Sequence, residues 1–172
     1  MVNDVIDIST EFYRRRLPHI VQYERDLFIT FKTKRRYRLP PCARNIALAR
    51  CVYGHGLHYW LEVVVVMPDH VHLILSLPHA REAGLLRHVL KGIKGTSAHA
   101  INRLLGRTGS MWQDESFDRV IRRDERERLV DYILENPVRA GLVMSRDDYS
   151  WTWRSWQFGE PDRNVWPTLS AR

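Results

Sequence analysis

The order of segments along the chain predicts an α+β fold, a ferredoxin-like (RRM-like) antiparallel sheet with helices on one face. Short β-branched runs alternate with stretches of helical periodicity, and a two-residue turn joins two of these runs. The 172 residues are enough for one core but not for two full domains. We therefore expect a single domain over residues 1–172, with a basic N-terminal segment (about 1–26) and an aromatic C-terminal tail (about 145–172).

The first half of the chain predicts a strand, a helix and a hairpin. Residues 27–33 (LFITFKT) have strand composition, and the apolar positions of residues 42–52 recur at helical spacing after a proline turn. Residues 59–67 (YWLEVVVVM) and 70–77 (HVHLILSL) are β-branched runs separated by Pro68 and Asp69. Two strands around a two-residue turn predict a β-hairpin.

The second half predicts two helices and one strand. Residues 81–105 carry an apolar stripe with a period of about 3.6, which is typical of one long amphipathic helix. A loop over residues 106–114, a strand over 116–122 and a helix over about 124–136 follow. The complete order is β-α-β-β-α-β-α.

The basic residues are concentrated in two windows of a chain whose formal net charge is +7. The first basic window, residues 14–38, holds nine Lys and Arg against two acidic residues, and the second, residues 87–107, holds five and no acidic residue. Clustered cations bind polyanions by releasing counterions, so a nucleic acid is a natural partner. A solvated charged face is the alternative interpretation.

Other features exclude several classes of protein. No apolar run approaches the roughly 20 residues that cross a bilayer, and the N-terminus lacks the features of a secretory signal. We therefore expect a cytoplasmic protein with no membrane partner. Cys42 and Cys51 are nine positions apart, which fits neither a metal-binding nor a disulfide pattern, so both are predicted to be reduced structural thiols.

His70 and His72 form a candidate metal clamp. They are one residue apart on a predicted strand, so both imidazoles lie on the same face of the sheet. Two nitrogen donors at this spacing suit a metal ion, although a surface or core histidine pair is the alternative. The other histidines have no spacing that favours a site, and we expect structural or solvated roles for His19, His55, His58, His79, His88 and His99.

Tyr132 and Asn136 are four residues apart on the last predicted helix and share one of its faces. A tyrosine hydroxyl has a pKa near 10, so its attack on a phosphodiester needs a cation that polarises the phosphate. Asn136 could supply an oxygen ligand for that cation. The alternatives are a half-buried packing role for Tyr132 and a capping role for Asn136, which precedes Pro137.

Together these segments resemble the HUH superfamily of single-strand DNA nucleases and, within it, the REP-associated tyrosine transposases. The resemblance covers about residues 23–156. The segments that carry it are, in chain order, VVVMPDHVHLILSLP, LKGIKG, MWQDESFDRVIR, VDYILENPVRAGLV and DDYSWTWRSW.

The resemblance implies a site and a reaction. It makes His70 and His72 metal ligands, Asn136 the remaining ligand and Tyr132 the nucleophile, with Mg²⁺ or Mn²⁺ as the ion. The implied activity is cleavage and rejoining of single-stranded DNA near palindromic hairpins, through a 5′-phosphotyrosine link that leaves a free 3′-OH.

The same resemblance implies a partner, single-stranded or hairpin DNA, bound by a monomer or homodimer in the cytoplasm at the nucleoid. The best candidates for contacts with DNA phosphates are the basic residues Lys34, Arg35, Arg36, Arg38, Lys91 and Lys94. A non-cutting regulator or packaging protein that binds DNA hairpins is an alternative interpretation, and a metal-dependent RNA- or nucleotide-processing enzyme is a third. A covalent tyrosyl–DNA adduct distinguishes them.

Overall fold

A computed structural model describes residues 10–13, 19–22, 26–77 and 84–155, and these ranges contain seven strands and three α-helices. The elements are, in chain order, β1 (Thr10–Tyr13), β2 (His19–Gln22), β3 (Asp26–Thr33), α1 (Pro41–Tyr53), β4 (Trp60–Val66), β5 (His70–Ser76), α2 (Leu85–Leu105), β6 (Trp112–Val120), α3 (Arg126–Arg139) and β7 (Thr152–Arg154). Short 3₁₀ turns cover Lys34–Arg36, Arg123–Glu125 and Arg146–Asp148.

Five strands form one antiparallel sheet in the order β6-β3-β5-β4-β7, and β1 pairs with β2 in a separate two-stranded sheet. The first four strands of this order, with α1 and α2 as the two connections, form the β-α-β-β-α-β unit that the sequence predicts. The ferredoxin-like α+β fold is therefore confirmed. The β3–β5 register places Thr30 opposite His72 and Lys32 opposite His70.

The sheet separates two apolar cores, because neighbouring residues of a strand point to opposite faces. Ile29 and Leu73 belong to the larger core, which α1 and α2 cover. Phe28 and Ile74 belong to the smaller core, which α3 covers. Two helices thus lie on one face, as predicted, and α3 adds a layer on the opposite face, where the two histidines also point.

Strand β6 begins at Trp112, four residues before its predicted start, so the predicted loop over residues 106–114 is in part strand. The strand lies at the edge of the sheet and exposes part of one face to solvent. Asp114 and Glu115 are tolerated there, and they hide the alternation by which a half-buried strand is recognised in a sequence.

Helix α3 continues through Pro137 to Arg139, although its predicted end was at Asn136. Pro137 has no amide proton, so the carbonyl of Ile133, four residues earlier, receives no helical hydrogen bond from it. The last turn is closed by the amide of Ala140, which donates to the carbonyl of Asn136, and by that of Leu142, which donates to the carbonyl of Pro137. Helix α2 is a separate case. It is described from Leu85, and the first residues predicted for it, 81–83, lie outside the described ranges.

Tyr149 and Trp151 attach the segment before β7 to α1 and to the sheet. The Tyr149 hydroxyl donates to the carbonyl of Val66, and the Trp151 indole donates to Asn45. The guanidinium of Arg44 lies 3.5 Å from the Trp151 ring centre. The described part of the predicted aromatic tail is therefore structural, whereas residues 156–172 and most of the basic N-terminal segment lie outside the described ranges.

Both cysteines are free thiols on α1. Cys42 is exposed, and Cys51 is buried in the larger core, where burial raises the pKa of its thiol to about 12. In the part of the chain that the structure describes, no helix combines the length and the apolar character that a bilayer crossing requires.

Candidate active site

A cleft of about 740 Å³ lies between helix α3 and the strands β3, β5 and β6 of the sheet. His70 and His72 line it from β5, and Tyr132 and Asn136 line it from α3. The two imidazole ring centres are 4.7 Å apart, and the centres of the His72 and Tyr132 rings are 6.0 Å apart. All four residues that the sequence analysis singled out for chemistry therefore meet in one cleft of a single chain.

Each histidine uses its Nδ1 atom in a hydrogen bond within the protein. The Nδ1 of His70 donates to the carboxylate of Asp69 over 2.6 Å, and the Nδ1 of His72 shares a hydrogen bond of 2.7 Å with the hydroxyl of Thr30. A carboxylate accepts only, so His70 carries its proton on Nδ1 and keeps a free lone pair on Nε2. The Nε2 of His70 is thus available as a ligand, and the Nε2 of His72 is available in the tautomer whose Nδ1 donates to Thr30.

His72 is neutral at physiological pH. Only 7% of the residue is exposed, and burial, followed by the neighbouring His70 and Lys32, lowers the pKa of its imidazole to about 3. A metal ligand must be unprotonated, and protonation competes with binding at most neutral-pH sites. His72 is therefore in the ligand form across the physiological range.

The chemistry of the donor set fits a divalent ion that also binds the substrate. Among the described residues, no group of three or more His, Cys, Asp or Glu forms a metal site. Two imidazoles and the amide oxygen of Asn136 would supply a partial shell, which suits ions that keep positions for water and phosphate oxygens. The residues that would hold the ion are His70, His72 and Asn136.

Tyr132 is 40% exposed and faces the open part of the cleft. Its ring meets His72 edge-on, and the guanidinium of Arg139, seven residues further along α3, lies 5.3 Å from its ring centre. A guanidinium at this distance from an aromatic ring makes a cation–π contact with it. The sequence analysis did not single out Arg139.

The side chain of Asn136 also bonds to its own helix. Its amide nitrogen donates to the carbonyl of Tyr132 over 2.7 Å. The amide oxygen is the remaining polar atom of a side chain that lines the cleft. The geometry is compatible with both interpretations, a ligand oxygen and a group that satisfies the helix end, and substitution separates them.

We expect Asn136→Ala to weaken Mn²⁺ binding and strand cleavage, with partial recovery of the rate at high Mn²⁺. Asn136→Asp retains an oxygen but loses the amide donor, so it should keep the metal affinity while losing about 0.5–1.5 kcal/mol of stability. Isothermal titration with Mn²⁺ and thermal unfolding measure the two effects. Equal Mn²⁺ affinity in the wild type and the Ala variant would remove Asn136 from the ligand set.

Charged contacts anchor α3 at its start. Arg126 forms two contacts with the carboxylate of Glu62 on β4, at 2.7 and 3.0 Å, and a third with Asp26 on β3, at 3.1 Å. Further along the helix, Asp131 contacts Arg146 of the following 3₁₀ turn at 3.2 Å. A planar guanidinium held by a nearly buried carboxylate fixes orientation as well as distance. These contacts hold Tyr132 beside the histidines of its own chain.

The basic residues predicted to contact DNA fall into separate places. Arg36 lines the cleft, and Lys34, Arg35 and Arg38 are exposed residues outside its lining. The sequence analysis missed two further cations that line the cleft, Lys32 on β3 and Arg119 on β6.

Lys91 and Lys94 lie on the other face of the sheet, in a second cleft of about 500 Å³ between α2 and the start of β6. The ammonium group of Lys94 donates to the carbonyl of Asp114 and to the hydroxyl of Ser116, at 2.9 and 3.1 Å. Lys94 therefore also holds β6 against α2. The structure does not bring these two lysines to the histidines.

The remaining described histidines are structural or exposed, as their spacing predicts. The Nδ1 of His55 accepts from the amide of Leu61, and its ring packs against Trp60 and Trp153. His58, His88 and His99 are exposed. The side chain of His19 and all of His79 lie outside the described part of the chain.

Two solved structures are similar to this chain. A REP-associated tyrosine transposase bound to a REP hairpin aligns with a TM-score of 0.60 and 25% identity, over 81% of this chain and 80% of that chain. A proposed transposase from Deinococcus radiodurans R1 has a TM-score of 0.46 and 21% identity, over 70% of this chain and 94% of that chain. No protein-family model and no curated protein matches the chain. The first alignment covers about four fifths of each chain and supports a REP-associated tyrosine transposase-like identity for this protein.

Proposed function

We propose that the protein is a metal-dependent endonuclease and strand transferase that cleaves and rejoins single-stranded DNA near palindromic hairpins. The observation that carries the proposal is the position of Tyr132, whose half-exposed ring lies 6.0 Å from that of His72 within one chain. A nucleophile and a pair of imidazoles that could hold a metal ion are two parts that such a reaction needs. The similarity to a transposase bound to a REP hairpin supports DNA hairpins as the partner.

In the proposed reaction, the Tyr132 oxygen bonds to the phosphorus of a phosphodiester while the bond from that phosphorus to the 3′-oxygen breaks. The phenol loses a proton and the departing 3′-oxygen gains one, so protons balance without a water nucleophile. A divalent ion bound at the histidines would neutralise charge on the phosphate. Arg139 contacts the face of the Tyr132 ring, and the 5′-phosphotyrosine link would keep the bond energy for rejoining.

Incubation with an end-labelled hairpin that carries single-stranded flanks, with Mg²⁺ or Mn²⁺, tests the proposal on a denaturing gel. We expect a protein–DNA adduct that survives denaturation and a second fragment with a free 3′-OH. Excess EDTA should abolish both. Hairpin binding without an adduct would identify a non-cutting binding protein, and cleavage without an adduct would identify a hydrolytic nuclease.

The salt dependence of DNA affinity tests whether the basic residues of the two clefts contact phosphates. Contact with about five to eight phosphates predicts a slope of roughly −3.5 to −5.6 for log K against log salt on single strands. If Lys91 contacts a phosphate, Lys91→Gln should reduce this slope by about 0.7 and weaken binding to all sequences alike. Fluorescence anisotropy over a salt series measures both quantities.

Arg103 is the matched control, because it is an exposed residue of α2 that does not line the second cleft. Arg103→Gln should leave the salt slope unchanged. An unchanged slope in Lys91→Gln as well would locate the DNA away from the α2–β6 cleft.

A further inference from the structure

Phe117 is an exposed aromatic residue inside the candidate active site. It lies on the edge strand β6 and is 50% exposed, and its side chain lines the same cleft as Tyr132. Most large apolar side chains of the sheet are buried, so this exposure carries a hydrophobic cost that the fold does not recover by itself. A ligand that covered the ring would recover it.

A continuous row of rings fixes Phe117 relative to the nucleophile. Its ring meets the buried Phe28 edge-on, with centres 6.1 Å apart, and Phe28 stacks on His72 at 5.8 Å with an interplanar angle of 18°. His72 in turn contacts Tyr132. Phe28 and His72 are each 7% exposed, so their buried rings form the floor of the cleft. The position of Phe117 is therefore set by packing, not by a mobile loop.

Cations surround this aromatic surface. Lys32 and Arg36 line the cleft from the β3 side, and Arg119 lies two residues beyond Phe117 on the same strand. The Arg119 guanidinium is 5.8 Å from the centre of the Phe28 ring and is held by Glu125. Aromatic faces among cations that follow a phosphate backbone are the features that bind single-stranded nucleic acid.

We infer that the exposed face of Phe117 is a stacking platform for one unpaired nucleobase of the strand that Tyr132 attacks. The inference rests on the proposed function, and it concerns how the active site distinguishes single-stranded from paired DNA. A paired base has both faces covered by its neighbours in the duplex, whereas an unpaired flanking base is free to stack. Phe117 thus favours DNA whose scissile region is single-stranded, independently of the base sequence.

Binding to two hairpins tests the inference, in a Tyr132→Phe background so that the strand stays intact. One hairpin carries a single-stranded flank and the other is blunt. We expect Phe117→Ala to weaken binding to the flanked hairpin by about 5- to 150-fold, the range of one base–aromatic stack, and to leave the blunt hairpin unchanged. Phe117→Trp should bind the flanked hairpin at least as tightly as the parent.

Two controls separate stacking from a general effect on the fold. Phe117→Leu keeps apolar contact with Phe28 but has no aromatic face, so it should lose affinity like the Ala variant while its thermal unfolding matches the parent. Tyr53→Ala removes another exposed ring, 70% exposed on α1, and should change neither affinity. Equal weakening of the flanked and blunt hairpins in Phe117→Ala would overturn the inference.

An abasic scan of the flank, with Phe117 present, identifies the stacked base directly. One abasic position should weaken binding by the same factor as Phe117→Ala, and the two changes together should weaken it no further. Additive effects would overturn the platform. These measurements do not use cleavage, so absence of a tyrosyl adduct overturns the nuclease proposal alone, whereas an equal effect of Phe117→Ala on both hairpins overturns this inference alone.

Discussion

Tyr132→Phe is expected to abolish the covalent adduct and to lower strand cleavage by at least about 1,000-fold, the scale seen when a covalent nucleophile is removed. The variant loses only the hydroxyl oxygen that would attack the phosphate. The ring keeps its contacts with His72 and Arg139. Among the described residues, none hydrogen-bonds to the Tyr132 hydroxyl, so its removal should leave both the stability and the affinity for a DNA hairpin nearly unchanged.

Tyr53→Phe is the matched control, because Tyr53 is an exposed tyrosine on the helix layer that lies across the sheet from the cleft. It should form the adduct at the wild-type rate. Adduct yield on a denaturing gel, hairpin affinity by anisotropy and thermal unfolding are measured on both variants. Cleavage near the wild-type rate in Tyr132→Phe would show that another group is the nucleophile.

The chemistry-bearing residues could be predicted from the sequence because their relations are local. Alternation along β5 puts His70 and His72 on one face, and the four-residue spacing on α3 does the same for Tyr132 and Asn136. Their meeting in space, however, depends on which face of the sheet α3 covers. Its apolar stripe fits either face, and in the structure it covers the histidine side and buries His72 beneath it.

The residues that the sequence analysis missed are those whose place depends on strand register. Lys32 reaches the cleft because β3 pairs with β5 so that Lys32 lies opposite His70, 38 positions away in the chain. Phe117 and Arg119 reach it through the pairing of β6 with β3, which is interrupted by a register shift between Phe31 and Thr33. No periodicity within β6 or β3 contains this information.

His70→Ala is expected to lower Mn²⁺ affinity and adduct formation by at least about 100-fold, because one of two imidazole ligands is lost. His70 is the better residue of the pair to replace, because its side chain is 23% exposed at the start of β5 and its removal disturbs the core less. His72→Ala should have the same effect on the metal. It would also leave the Thr30 hydroxyl unpaired in a buried place, at a cost of about 1–3 kcal/mol.

Asp69→Asn provides an intermediate variant that acts only through His70. An amide oxygen can still accept from the Nδ1 of His70, but without the negative charge that makes the ring a better ligand, so Mn²⁺ affinity should fall by about 10- to 100-fold. His99→Ala is the control, because His99 is exposed on α2, across the sheet. Calorimetric Mn²⁺ titration ranks the variants independently of cleavage: we expect equal affinity in the wild type and His99→Ala, weaker binding in Asp69→Asn and the weakest in His70→Ala. Full adduct formation by the wild type in excess EDTA would refute a metal role, and an unchanged affinity in His70→Ala would place the ion elsewhere.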